Sequence, residues 1–268
     1  MYNQRYINRY TTVFPRLITA NRYTLVAIFV MNLSSAAYAD RLNVAVASNF
    51  AAPMEEIKKA FESGSNHELV IIRGSSGKHY AQIRNGAPFD VFLSADQARP
   101  LRLMEEGIGI PGTLGTYAMG RLALWSREED LELGKEYLLN TANYETLAIA
   151  NPRLAPYGQA ANEVLDAIGL EAGVNNRMVM GENIAQTFQF VYSGNADIGL
   201  VAYSQTLSPT VRGRGSSWLV PSELHQDIRQ DMVLLKDSLA AREFAAFMNS
   251  DAVRDIFISQ GYVLSDGR

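Results

Sequence analysis

The stretch Leu42-Asn-Val-Ala-Val-Ala47, Ser48-Asn49, Phe50-Ala-Ala-Pro-Met54-Glu-Glu-Ile57-Lys-Lys-Ala-Phe61 changes its period at the central pair, and that change decides the fold class. Before Ser48, large and small residues alternate as in a buried strand. After it, Phe50, Met54, Ile57 and Phe61 share one helical face, and Pro53 is tolerable in a first turn. Glu55 and Lys59 form an i,i+4 pair on the exposed side. The same strand–turn–helix grammar recurs along the chain. Leu69–Ile72 reads as a strand before a helix from about Lys78 to Asn85. Val91–Leu93 precedes a helix over Gln97 to Glu106, and Leu147–Ala150 precedes one over Gly158 to Ile168. Leu122–Trp125, Asp197–Val201 and Met232–Leu235 read as further strands, while Asn183–Val191 and Leu239–Ser259 read as helical. Alternating strands and helices predict an α/β protein whose mixed, mostly parallel sheets are flanked by helices.

Outward from this core, the amino terminus reads as an address. Arg16 and Arg22 precede the apolar run Thr24–Met31, and Ala37-Tyr38-Ala39 has the small-x-small pattern of a signal-peptidase site. The run is far shorter than the roughly 20 residues needed to span a bilayer. Residues 1–39 are therefore expected to be a cleaved signal peptide, with the exported chain starting at Asp40. They carry four Arg and no acid, so a chain of net charge −4 leaves −8 on the remainder. An acidic body of this kind argues against nucleic acid as a partner. Cysteine is absent, which excludes disulfides, thiolate metal sites, a Cys nucleophile and a lipid anchor on Cys. Of the 268 residues, 47% are hydrophobic, too many for a disordered chain. About 229 mature residues fit two lobes better than one domain.

Ligands of open α/β sheets sit beyond the carboxyl ends of the strands, where helix starts present free N–H groups. Four turns here carry suitable residues: Ser48-Asn49, Gly74-Ser75-Ser76-Gly77-Lys78, Ala155-Pro156-Tyr157-Gly158 and Glu182-Asn183-Ile184. Each residue also has a plain structural reading, since Ser and Asn are ordinary N-caps and Tyr157 could simply pack. The Gly-Lys turn is not a P-loop, because His79 stands where Ser or Thr is needed. Enzyme signatures are thin. There is no G-x-S-x-G elbow, and His67, His79 and His225 lack metal spacing and are expected at the surface. Asp90 and Asp96 read as a strand-edge turn and a helix N-cap rather than a catalytic pair. No catalytic residue, cofactor or directly ligated metal is expected.

The blocks VAVASNFAAPMEEIKKAFE, GSSGKHYAQIRNGAPFDVFLSAD, NPRLAPYGQAANEVL and GENIAQTFQFVYSGNADIGLVAYSQ resemble, in this order, the periplasmic molybdate-binding proteins of ABC importers. The resemblance runs from about Leu42 to Leu264. It implies a two-lobed type II periplasmic binding protein, with lobe I over 40–119 plus 230–268, lobe II over 120–229, and the ligand in the interlobe cleft. It also implies a non-enzymatic monomer that captures molybdate, and tungstate with it, for a membrane permease. Ser48, Asn49 and Ser76 would surround the oxyanion, with Tyr157 and Ile184 each offering a main-chain N–H. Many relatives add a Tyr hydroxyl where this chain has Ala202, with Tyr203 beside it. A receptor for sulfate or another tetrahedral oxyanion would share the fold. An exported enzyme acting on an anionic substrate, or a ligand-free module, are the remaining alternatives.

Overall fold

A computed structural model describes residues 40–264. The signal-peptide reading of residues 1–39 lies outside them. The first strand, β1 (Arg41–Ala47), runs through a 3-10 turn, Ser48–Phe50, into α1 (Ala51–Gly64). Met54, Ile57 and Phe61 bury the α1 face that their spacing dictates. Next come β2 (Glu68–Gly74), α2 (Ser76–Arg84), β3 (Val91–Leu93), α3 (Ala98–Glu105) and β4 (Gly115–Gly120). The chain then makes β5 (Leu122–Ser126), α4 (Lys135–Leu139), β6 (Leu147–Ala150), α5 (Pro156–Ala167), α6 (Glu171–Val174) and β7 (Met178–Gly181). It continues through α7 (Ile184–Tyr192), β8 (Ile198–Ala202), α8 (Tyr203–Thr206) and β9 (Ser216–Leu219). It ends with β10 (Ile228–Leu234), α9 (Leu239–Phe247) and α10 (Asp251–Ser259).

The described strands form two five-stranded sheets of matching order, β2-β1-β3-β10-β4 and β7-β6-β8-β5-β9. In each, one strand runs against the others: β10 is antiparallel to β3 and β4, and β5 is antiparallel to β8 and β9. Those two strands are the ones that follow the crossings between sheets. The chain leaves the first sheet after Gly120 and returns to it at Ile228. Each sheet has its own core. Phe50, Met54, Leu93 and Phe244 pack in the first, and Leu122, Ile149, Val164 and Leu200 in the second. The strands missed by the sequence reading are β4 (GTYAMG), β7 (MVMG) and β9 (SSWL). All three are sheet edges, where short segments rich in Gly, Met and Ser carry little periodicity.

Candidate anion-binding site

The carboxyl ends of β1, β2, β6 and β7 each feed a turn that starts a helix, and local chemistry fixes each turn. Ser75 caps α2, its Oγ accepting from Lys78 N at 3.3 Å. Asn183 caps α7, its Oδ1 accepting from Ala185 N at 3.0 Å and Gln186 N at 3.1 Å. Pro156 occupies the first position of α5, where its missing N–H removes no helical bond. The α2 helix therefore starts at Ser76, two residues before the expected Lys78, because the Ser75 cap closes the first turn.

These turns meet at one cavity. Ser48, Asn49, Ser76, Tyr157 and Ile184, the five residues singled out by sequence, all line it, together with Ala47, Gly74, Ser75, Ala95, Ala155 and Pro156. Its volume, about 10 Å³, falls far below the roughly 300–1,000 Å³ of clefts that hold organic ligands. No lining residue carries a charge. What the wall offers instead is hydrogen. The backbone N–H groups of Asn49, Ser76, Tyr157 and Ile184 donate to no acceptor among the described residues, as expected for the first turns of helices. Ser76 Oγ accepts from Ala95 N at 2.9 Å, and Ser48 Oγ accepts from Ala185 N at 3.4 Å. Each hydroxyl thus accepts one backbone N–H and keeps its single hydrogen uncommitted among the described residues. The amino-terminal ends of α2, α5 and α7 add partial positive charge from their aligned peptide dipoles. Such a wall suits a compact, proton-free anion, because it supplies donors without a buried Lys or Arg to desolvate.

Tyr157 combines both readings that its sequence left open. Its ring is buried and its hydroxyl accepts from Gln230 Nε2 at 3.3 Å, while its main chain borders the cavity. Tyr203 is not among the lining residues. It lies beneath Arg121, whose guanidinium carbon is 5.3 Å from the ring centroid, and Ala202 is fully buried. Around the rim, Gly77 N donates to Leu154 O at 2.9 Å and Lys78 Nζ to Glu182 Oε1 at 2.8 Å, tying the first sheet's loops to the second's. The Lys78–Glu182 pair is about half exposed on both sides, so its stabilising contribution is small. The group that sequence reasoning missed lies behind the cavity: Gln230, Tyr117, Tyr262 and Ser204, bonded to one another or to Asn49. They come from distant parts of the chain and form no motif.

Asp90 plays the structural role expected of it, whereas Asp96 stands one residue before the N-cap of α3, Gln97, and reaches the first turn from there. Asp90 Oδ2 accepts from Asn43 N at 2.7 Å, and Asp96 Oδ1 accepts from Arg99 N at 2.9 Å. The histidines correct the sequence reading: His67 and His79 are buried, and His225 is only partly exposed. His79 faces back from α2 under the Gly74 turn, its Nε2 3.2 Å from Val46 O and its Nδ1 3.3 Å from Gln82 Oε1. A Cβ on Gly74 would sit 2.8 Å from that ring, so the glycine makes room for it. Burial pulls the His79 pKa below its ordinary 6.5, outweighing the two hydrogen bonds. The sign follows directly. A lowered folded-state pKa means that the unfolded chain binds the proton first, so stability is full above pH 6.5 and falls as pH drops from there to the folded value. Thermal unfolding between pH 8 and 5 should show wild-type stability declining below about pH 6.5. His79→Gln should flatten that decline, and an unchanged profile would remove His79 as its source.

A sequence profile of the bacterial extracellular solute-binding protein family matches residues 42–263. The chain is 40% identical over 255 residues to the molybdate-binding protein ModA of Rhodobacter capsulatus, covering 94% of this chain and 99% of the relative. It is also 40% identical over 243 residues to the Azotobacter vinelandii ModA, covering 90% and 96%. The solved structure of the A. vinelandii periplasmic molybdate-binding protein superposes with a TM-score of 0.80 at 36% identity, covering 83% of this chain and 99% of that one. The sulfate-binding protein SubI of Mycobacterium tuberculosis shares the fold, at a TM-score of 0.70 and 13% identity. With two matching five-stranded sheets and a neutral, donor-lined cavity between their helix starts, the chain belongs to the bacterial extracellular solute-binding protein family and has its two-lobed periplasmic binding protein fold.

Proposed function

We propose that this chain captures molybdate, and tungstate with it, and delivers the anion to the membrane permease of an ABC importer. The observation that carries the reading is the donor inventory of the cavity: four backbone N–H groups and two hydroxyl hydrogens with no acceptor among the described residues, and no charged side chain. Molybdate at neutral pH is a dianion with four oxygens and no proton, so it can only accept. Ser48, Asn49, Ser76, Tyr157 and Ile184 are its contacts in this reading. The 40% identity to two ModA proteins favours molybdate over sulfate within the same fold. The chain is an exported monomer cleaved before Asp40. Residues 40–119 plus 230–268 form one lobe and 120–229 the other, and they close on the anion. Capture and delivery require no turnover, cofactor or metal bound directly by side chains.

Calorimetric titration of the mature chain with the four oxyanions molybdate, tungstate, sulfate and phosphate tests the reading. Ser76→Ala removes one charge-assisted bond, worth about 1.5–3 kcal/mol, and should weaken molybdate about ten- to a hundredfold. Ser48→Ala should act in the same direction. His225→Ala, outside the lining residues, should bind as wild type does. Undiminished binding by Ser76→Ala would move the site elsewhere.

A further inference from the structure

Behind the cavity, Gln230 is fully buried and sits at a register shift in β10, between Gln230 and Asp231. Bulges of this kind re-aim side chains beside functional sites. Gln230 Oε1 lies 2.9 Å from Asn49 Nδ2 and 3.0 Å from the Tyr117 hydroxyl, and its Nε2 lies 3.3 Å from the Tyr157 hydroxyl. Asn49 Nδ2 also meets the Tyr262 hydroxyl at 3.1 Å. The three phenols are buried, and burial pushes each pKa well up, so each holds its hydrogen and can donate once.

This set of heavy atoms admits two hydrogen-bonded arrangements. In the first, Asn49 Nδ2 donates inward to Gln230 and Tyr262. Asn49 Oδ1 is then buried without a partner, and the Tyr157 hydrogen has no acceptor among the described residues. Turning both terminal amides over exchanges O and N at unchanged positions and reverses those deficits. Gln230 Nε2 then donates to Asn49 Oδ1 and to Tyr117, Tyr117 donates to Ser94 O, and Tyr157 donates to Gln230 Oε1. The strain moves to Tyr262, whose one hydrogen is shared between Asn49 Oδ1 and Asn49 O, the latter also reached by Ser204 Oγ at 3.3 Å. The turned arrangement frees Asn49 Nδ2, a donor on a residue that lines the cavity. An anion with acceptors only selects it, whereas an anion carrying a proton is served by Oδ1.

We infer that Gln230 is the positioning residue that sets the Asn49 amide with its nitrogen toward the anion, and that it thereby contributes to the preference for proton-free oxyanions. The inference rests on the proposed anion site and deepens it.

A double-mutant cycle on the mature chain tests it, read by calorimetry with molybdate and phosphate. Asn49→Ala and Gln230→Met should each weaken molybdate about ten- to a hundredfold. The double variant should lose no more than about twofold beyond the worse single. The molybdate-over-phosphate ratio of Gln230→Met should fall with its molybdate affinity, because a freed amide can offer Oδ1 to the phosphate proton. Losses that multiply, or a preserved ratio, would overturn the inference while leaving the anion site standing. Wild-type protein that binds no oxyanion would overturn both. A measurement on folded wild type guards against a variant that fails to fold. The Asn49 side-chain amide resonance, identified by its disappearance in Asn49→Ala, should shift on adding molybdate, and an unmoved resonance would also overturn the inference.

Discussion

Molybdate at a thousandfold excess over its dissociation constant should raise the melting temperature of the mature chain by about 8–16 °C. A ligand that binds only the folded state stabilises by mass action, by about 4.1 kcal/mol at that excess. A chain of this size shifts by roughly 2–4 °C per kcal/mol. The site requires folding because its donors come from four turns on two sheets, and no short segment carries two lobes' worth of them. Tungstate should act alike. Phosphate should shift the temperature little, since it keeps a proton at neutral pH and no carboxylate lines the cavity. Sulfate is the harder case, because it too is a proton-free dianion. Its smaller size should leave donors short, and two unpaired donors at about 1–3 kcal/mol each weaken it thirtyfold to many thousandfold. A thermal-shift series at constant ionic strength compares all four anions. Equal shifts from sulfate and molybdate would make the chain a general tetrahedral-oxyanion receptor, and no shift from any would leave it without an anion ligand.

Gly158→Ala should reduce molybdate affinity by about tenfold to several hundredfold and lower the melting temperature in the absence of ligand. A Cβ at Gly158 would overlap Ala150 O and sit 2.7 Å from Ala150 C and 2.9 Å from Asn151 C. All three are backbone atoms, so no side chain can swing aside. The first turn of α5 must instead move off β6, carrying the Tyr157 N–H with it. Overpacking of this kind costs about 1–3 kcal/mol, a melting shift of roughly 2–12 °C. The displaced, charge-assisted donor accounts for about 1.5–3 kcal/mol of binding, and misalignment of the helix dipole adds to it. Gln159→Ala is the control, being exposed on the same turn and outside the cavity wall. Wild-type affinity in Gly158→Ala would show that the start of α5 does not hold the ligand.

By itself the sequence determined the fold class and the direction in which to look for a site. The switch from alternation to a helical face across Ser48-Asn49 is local physics, and so are the caps that Ser75 and Asn183 provide. Long runs such as Leu147–Ala150 were legible because a fully buried strand needs apolar residues throughout. The edge strands were not, since pairing on one side imposes little pattern on GTYAMG or SSWL. Histidine burial was equally illegible. His79 is inside because Gly74 leaves room for its ring and Val46 O meets its Nε2, and Val46 lies 33 residues away along the chain. Ser48, Ser76, Tyr157 and Ile184, grouped in the sequence only by the family resemblance, share one wall because of the tertiary structure, which also has each serine oxygen accept a backbone N–H while its hydrogen stays free. Tertiary structure also decided that Gln230, 181 residues from Asn49 along the chain, stands directly behind it. Periodicity and capping act over a few residues and can be read in order. Donor direction and amide orientation depend on which groups two sheets bring within 3 Å, and that follows only from the assembled fold.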